Sequence, residues 1–411
     1  MSPEDPIGII ELGNLNIKCL IFKIKKNNES EILSTSIKPS EGIHNDVIIN
    51  LSKASNAIRL CVSDAEKKAK VTLKKVHMIF EQPDFLCTRF SKNKKIDGSK
   101  IQREDIEFLL KEAKKQLILN DKNQSIIHIF NHNYIVDGKN FIEEPIGIYA
   151  DSLTHEMTFI TAPKNNLRNI NQAVTDCDIE IERLFSRTFT LGAYLLDDKH
   201  LQSGSVIINL GLKKISLGLF KNFALIHSVT VPIGIDHITK DISKVCSLNF
   251  KESEIITNNF DFSFKNNQIL FDQDEFLKNK YFIDSNFRKI SKNLLTNVIK
   301  ARIDEILNIL KKQLFIPGFN LDTGVNLFLF GKGSDLLNLD HYCKKLFNQN
   351  LKKIDQNNFD KDIYSDLKKD FISSLGALKI IKDGWETEAI PEIVEKNIKK
   401  IGFFAKIFRI S

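Results

Sequence analysis

The amino-acid sequence predicts an α/β protein of two lobes, with a small α+β subdomain inserted in the first lobe and an amphipathic helix at the C-terminal end. Three observations carry that prediction. The segment IIELGNLNIKCLIFK at residues 9–23 returns at residues 207–221 as IINLGLKKISLGLFK, with seven of fifteen positions identical and no gap. The matched pairs are Ile9/Ile207, Ile10/Ile208, Leu12/Leu210, Gly13/Gly211, Ile17/Ile215, Phe22/Phe220 and Lys23/Lys221. β-Hairpins can resemble one another by chance, but a hairpin heading each half of a long chain is the pattern of a two-lobed molecule. The second observation is a strand, helix, strand, hairpin, strand order between the copies, at residues 84–162. The third is a basic, phenylalanine-rich end whose apolar residues recur at helical spacing.

With 411 residues and 47.1 kDa the chain exceeds one ordinary core. Charged residues make up 27%, and no apolar run approaches the roughly 20 residues of a spanning helix, so neither an integral membrane protein nor a disordered chain is expected. Lys+Arg number 59 against 52 Asp+Glu, a net +7, but only nine are the Arg that specific nucleic-acid readers favour. No nucleic-acid partner is expected. Cys19, Cys61, Cys87, Cys177, Cys246 and Cys343 stand singly, without zinc spacing, and read as small core residues of a reducing compartment. The start, MSPEDPIGII, has acids and prolines where a signal peptide has a basic patch and an apolar run, so a cytoplasmic body is expected.

In chain order, residues 7–37 hold three β-rich runs separated by turn residues. Ile48, Leu51, Ile58, Cys61, Val62 and Ala65 then recur at helical spacing, with Asn45 and Asp46 as capping candidates, before strand VHMIF at 76–80. In the insert, a helix over about 104–119 aligns Ile106, Leu109, Leu110, Ala113 and Leu117 on one stripe. Residues 170–185 carry the chain back out. Residues 248–281, rich in Asn, Asp and Phe, read as a weakly periodic surface subdomain. Ser291 offers an N-cap for a helix over 292–312 with an apolar face of Leu294, Leu295, Val298, Ile303, Ile306 and Leu310. LFLFGKGSDLLNL at 327–339 passes from a strand through Gly331 and Gly333 into a helix carrying Leu336, Leu337 and Leu339. Glycine turns expose backbone N–H groups that can surround an anion, so the two hairpins and this turn together suggest a nucleotide cleft.

This order of elements resembles the actin-like (ribonuclease H-like) superfamily, and within it the FtsA family of bacterial cell division proteins, over nearly the whole chain. The family's D-I-G-T turn is here ELGN (Glu11, Gly13, Asn14), followed by Asn16; its H-V-I-P-x-x-Y-x-x-D and N-P-V-G segments are HIFNHNYIVD and EPIG. Its D-x-G-G-G-T turn is NLGLKK (Asn209, Gly211, Leu212, Lys213, Lys214), and GIDHITKDI begins at Gly234. The adenosine-side motifs match KARIDEIL, with Arg302, and GKGS, with Gly331, Lys332 and Gly333. The position of the insert before the second hairpin is the most specific feature.

The resemblance implies a first lobe over 1–83 and 163–200, an SHS2-like insert over 84–162, and a second lobe over 201–381 with a smaller subdomain at about 241–291. It implies ATP as cofactor through the fourteen residues just named. The positions that would organise Mg²⁺ are here Glu11 and Asn209, and Lys214 replaces the threonine, which leaves a carboxylate-poor site. ATP binding therefore stays open, hydrolysis is not expected, and the sequence offers no catalytic set and no metal-ligand cluster.

The end of the chain, after a polar linker at 382–392, is read as a helix over 393–411. Val394, Ile398, Ile401, Phe404, Ala405 and Phe408 fall in one sector of roughly 120°, with Lys396, Lys399, Lys400, Lys406 and Arg409 outside it. Phe403, Ile407 and Ile410 lie off the stripe, and Gly402 weakens the helix by about 1 kcal/mol relative to Ala. A helix docked on the body is one reading. The other is an in-plane helix on anionic lipid, held by Ile398, Lys399, Lys400, Ile401, Phe403, Phe404, Lys406, Ile407, Phe408 and Arg409. Residues 396–411 contain five basic and no acidic side chains, leaving 54 basic against 52 acidic before them.

The resemblance thus implies a peripheral protein of the cell inner membrane at the division site. It would tether FtsZ filaments to the cytoplasmic face, help assemble the septum with other division proteins, and self-associate. Two alternatives stand beside it: an actin-like assembly protein of a pilus or secretion machine, and an actin-fold ATPase or kinase.

Overall fold

A computed structural model describes residues 5–26, 28–141, 143–265, 267–315, 325–347, 351–354 and 367–384. The expected helix over 393–411 and all but the start of the 382–392 linker lie outside these residues. Two compact units are present: Met1–Gly204 with Gly218–Val229 and Asp360–Ser411, and Ser205–Leu217 with Thr230–Phe359.

The chain opens with β1 (Ile7–Glu11), β2 (Asn16–Ile24) and β3 (Ser30–Pro39), then the short pair β4 (Ile43–His44) and β5 (Val47–Ile48). Helix α1 (Leu51–Ala69) and β6 (Lys75–Phe80) follow. All five residues of β1 are buried, because it lies inside a sheet of order β11-β6-β1-β2-β3, in which β11 is Glu180–Ser186. β1 and β6 run parallel, as do β6 and β11, whereas β1–β2 and β2–β3 are antiparallel. Helix α1 buries Ala54, Ala57, Ile58, Cys61, Val62 and Ala65 in the core formed with this sheet.

The cap of α1 is a correction to the sequence reading. Asn50, not Asn45 or Asp46, accepts a hydrogen bond from the Lys53 N–H at 3.0 Å. Asn45 and Asp46 form the tight turn between β4 and β5, both with positive φ, and Asp46 turns inward. Asn50→Ala should lower stability by about 1 kcal/mol, read as a shifted urea midpoint with unchanged slope.

The insert comprises β7 (Leu86–Lys100), α2 (Arg103–Asn120), β8 (Gln124–Val136), β9 (Lys139–Phe141) and β10 (Tyr149–Pro163). Its antiparallel sheet has the order β7-β10-β8-β9. Helix α2 buries the five expected stripe residues against Phe90, Ile129, Tyr134, Met157 and Phe159. Then come α3 (Lys164–Thr175), β11, α4 (Arg187–Leu195) and α5 (Asp198–Ser203).

The second hairpin opens a sheet of order β14-β13-β12-β15-β16, from β12 (Ser205–Leu210), β13 (Ile215–Lys221), β14 (Ala224–Val231), β15 (Asn326–Phe330) and β16 (Leu351–Lys353). The helices are α6 (Asp236–Cys246), α7 (Phe250–Asn259), α8 (Lys292–Gln313) and α9 (Leu339–Phe347), with α10 (Lys368–Asp383) last. Ser291 caps α8 as expected, accepting from the Leu294 N–H at 3.3 Å. The buried face of α8 is rotated from expectation: Ile299 and Leu307 replace Val298 and Leu294, and Leu294 is exposed. After Gly331 the chain makes only a 3₁₀ turn, Lys332–Asp335, and α9 begins at Leu339. Within the weakly periodic 248–281 stretch, α7 is an addition. The six cysteines are free, with Cys19, Cys61, Cys246 and Cys343 buried and Cys87 and Cys177 half-buried. Burial pushes the Cys61 thiol up to about 11.

Candidate functional site

The two hairpin turns share more than sequence. A Cβ on Gly13 would collide with the carbonyl of Asn16, and one on Gly211 with that of Lys214, so each turn closes on its own backbone three residues on. Glycine is required at both places for the same reason.

In the first unit, Gly13 and Asn14 are partly covered, while Asn16 is exposed. The Asn14 side chain donates to Asn45 Oδ1 at 3.3 Å and accepts from the Asn45 N–H, so the turn is fastened to the β4–β5 turn. Glu11, at the end of β1, is 5% exposed and forms ion pairs with Arg187 Nε at 2.9 Å and Lys18 Nζ at 3.6 Å. Arg187 Nη1 also pairs with Asp46 Oδ2 at 2.9 Å, and its Nη2 donates to the Leu12 carbonyl. Burial opposes the Arg187 charge, but Asp46, Glu11 and Glu81 outweigh that effect and hold the guanidinium more firmly protonated than usual.

Glu81 continues the network. Its backbone N–H donates to Asp46 Oδ2 at 2.9 Å, and its Oε2 accepts from the Thr188 N–H at 2.7 Å and from Ser186 Oγ at 3.0 Å. A carboxylate of the chain itself therefore sits at the N-terminus of α4, where an anion would be welcome. Sequence reasoning missed Arg187 and Glu81 and assigned Asp46 another task. A lone charge within the apolar stretch FSRTFTLGA was the available signal for Arg187.

In the second unit the remaining predicted residues come together, apart from Arg302. The Gly211 and Leu212 carbonyls accept from the Ile235 and Asp236 N–H groups at 3.1 and 2.8 Å. Gly234 lies against the Leu212 carbonyl so closely that no side chain would fit. Gly331, at φ +94°, packs on Asn209 and Leu210, and Gly333 packs on Leu210 and Ile235. Lys213 and Lys214 are half-buried on the hairpin turn, and Lys332 is exposed. Burial pushes the Asp236 carboxyl up, against the pull of Lys240 and Lys213. Arg302, on α8, is instead engaged by Asp241 on α6 and by Glu305 one turn along.

Residues 86–161 match the family model described as the SHS2 domain inserted in FTSA, and residues 206–375 match that of cell division protein FtsA. The chain belongs to the FtsA family. It is 22% identical over 359 residues to cell division protein FtsA of Agrobacterium fabrum (strain C58 / ATCC 33970), covering 84% of this chain and 80% of that protein. Against FtsA of Buchnera aphidicola subsp. Schizaphis graminum (strain Sg) it is 24% identical over 351 residues, covering 84% and 82%. The structure of a PilM-PilN type IV pilus biogenesis complex superposes with a TM-score of 0.62 at 12% identity, over 92% of this chain and 99% of that one. At that identity the likeness is one of fold: this FtsA-family chain has the actin-like α/β fold with an SHS2 insertion.

Magnesium does not fit the residues that the resemblance implies for it. Glu11 is already engaged by Arg187 and Lys18, and Asn209 brings a neutral amide. Among the described residues no group of three or more His, Cys, Asp or Glu is placed to hold a metal ion. Nor is any helix there long and apolar enough to cross a membrane.

Proposed function

We propose that this FtsA-family protein tethers FtsZ filaments to the cytoplasmic face of the inner membrane at the division site, self-associating and recruiting other division proteins as it does so. The observation that carries the membrane part is residues 393–411, whose apolar sector and five cations suit an in-plane helix on anionic lipid. Helix α10 ends at Gly384 in the left-handed conformation, a helix stop ahead of this segment in the chain. The FtsZ contact is assigned to the smaller subdomain of the second lobe, about residues 241–291.

The protein acts by binding. ATP, where it binds through the turns at Gly13, Gly211 and Gly331, acts as a conformational ligand rather than a substrate. The engaged Glu11 and the neutral Asn209 support that assignment. In cosedimentation with liposomes rich in anionic lipid, the full chain should pellet, and a chain lacking residues 397–411 should stay in the supernatant. High salt should weaken pelleting of the full chain. Equal pelleting of the two chains would reject the role given to the tail.

A further inference from the structure

We propose that Arg187 is a built-in cation: it does for Glu11 and Asp46 what a divalent ion does for a carboxylate cluster, so the first unit takes up no divalent cation at Glu11 while Arg187 is present. The inference deepens the non-catalytic part of the proposed function.

The argument is one of ligands and charge. Three oxygens meet the guanidinium: Glu11 Oε1 at 2.9 Å, Asp46 Oδ2 at 2.9 Å, and the Leu12 carbonyl. Two carboxylate oxygens and a backbone carbonyl are the ligand set that hard divalent cations take from proteins. They come from three separate places, the end of β1, the turn after it and the β4–β5 turn, and one planar fork joins them. Glu11 is 5% and Asp46 0% exposed, so both carboxylates depend on a nearby positive charge. A divalent cation brought to Glu11 would face the fixed guanidinium on one carboxylate oxygen and the Lys18 ammonium, 3.6 Å from the other, with little water between to screen the repulsion. Arg187 is itself fixed in place. It begins α4, whose N-terminal Thr188 N–H is bound by Glu81, and Glu81 is tied in turn to Asp46.

If Arg187 supplies the charge, its removal should convert the same oxygens into a divalent-ion site. The test is a manganese titration of the full chain, followed by the loss of the free-ion electron paramagnetic resonance signal. Wild type should show no saturable uptake. Arg187→Ala should show a saturable site that disappears again in Arg187→Ala/Glu11→Gln. Should Arg187→Ala be unfolded without metal, millimolar Mn²⁺ or Mg²⁺ should restore its thermal transition. Saturable uptake by wild type that Glu11→Gln abolishes would overturn the proposal, as would an Arg187→Ala chain that neither binds Mn²⁺ when folded nor recovers its transition when metal is added. Steady phosphate release from ATP by the wild-type chain is a separate readout, and it bears on the non-catalytic reading rather than on the manganese result.

Discussion

Lowering the pH from 7 to 5 should remove most of the stability of the first unit. His77, His128, His132 and His155 are buried there on β6, β8 and β10. Burial, the leading cause for each, pulls His77, His128 and His155 down to about 3 and His132 to about 4. Arg183 adds to the effect at His77 and His128, and His132 adds to it at His155. At His132, Glu156 pulls the other way and Arg89 again lowers. Below an unfolded-state value of about 6.5 the unfolded chain takes up protons that the native chain refuses, so stability is full above that pH and falls as the pH drops toward the native values. At pH 5 the loss is about 2 kcal/mol per histidine, or about 8 kcal/mol for four independent groups, comparable with the whole stability of many domains. Coupling between His132 and His155 changes how the protons are shared, not the direction.

Thermal midpoints between pH 7 and 5 test this directly, and a midpoint that does not move would sink it. His155→Phe separates the cause from general acid sensitivity. The His155 ring stacks on Tyr134 at 4.4 Å, and neither ring nitrogen has a hydrogen-bond partner among the described residues. Phenylalanine keeps the packing, so the variant should match or exceed wild-type stability at pH 7 and lose stability less steeply below pH 6.5, by about one proton's worth of slope.

The second large effect is expected at Glu252 in α7. This carboxylate is fully buried and collects donors from two segments: the Ile283, Asp284 and Ser285 N–H groups at 2.7 to 2.8 Å, the Ser285 hydroxyl, and the Asn249 N–H at 2.9 Å. Burial raises its pKa, but the hydrogen bonds from Ser285, Asp284 and Asn249 prevail and hold it at about 2. Glu252→Ala removes a buried, charged acceptor shared by several part-buried donors, so a loss of about 3 kcal/mol is expected. Its contribution is full above the ordinary Glu value of about 4.3 and disappears as the pH falls toward 2. Amide hydrogen exchange should show residues 249–259 and 283–285 losing protection together in this variant. Unchanged protection at 283–285 would show that the carboxylate does not hold that segment.

Where an element rests on local periodicity, sequence and structure coincide in its place, although the buried face of α8 is turned from the one the pattern predicts. The α2 stripe is correct residue by residue, and the repeated hairpins fold with the same glycine collision in both turns. Where an element rests on partners distant in sequence, the reading fails for a physical reason. Asp46 looks like a cap because Asp favours helix starts, yet its role is set by Arg187, which no local window contains. Helix α7 escapes notice because its buried positions include Glu252, held by a capping box and by the 283–285 segment, and Ser253 and Thr257, whose hydroxyls donate to the Asn249 and Ser253 carbonyls. The predicted glycines were legible as turns. Their neighbours, backbone carbonyls at Gly13, Gly211 and Gly234 and the Asn209 and Ile235 side chains at Gly331 and Gly333, were not.

Gly376 in α10 sits against the Thr190 carbonyl of α4 with no room for a side chain, while Lys379 donates to the Ala193 carbonyl at 2.9 Å and Lys18 to that of Asp370. Helix α10 is thus riveted to α4 at one end and to β2 at the other. A load placed on α10 passes to α4, whose first residue grips Glu11. Helix α10 and the guanidinium keystone lie on one mechanical line, so tension applied to α10 would be borne by a buried ion pair rather than by a loop.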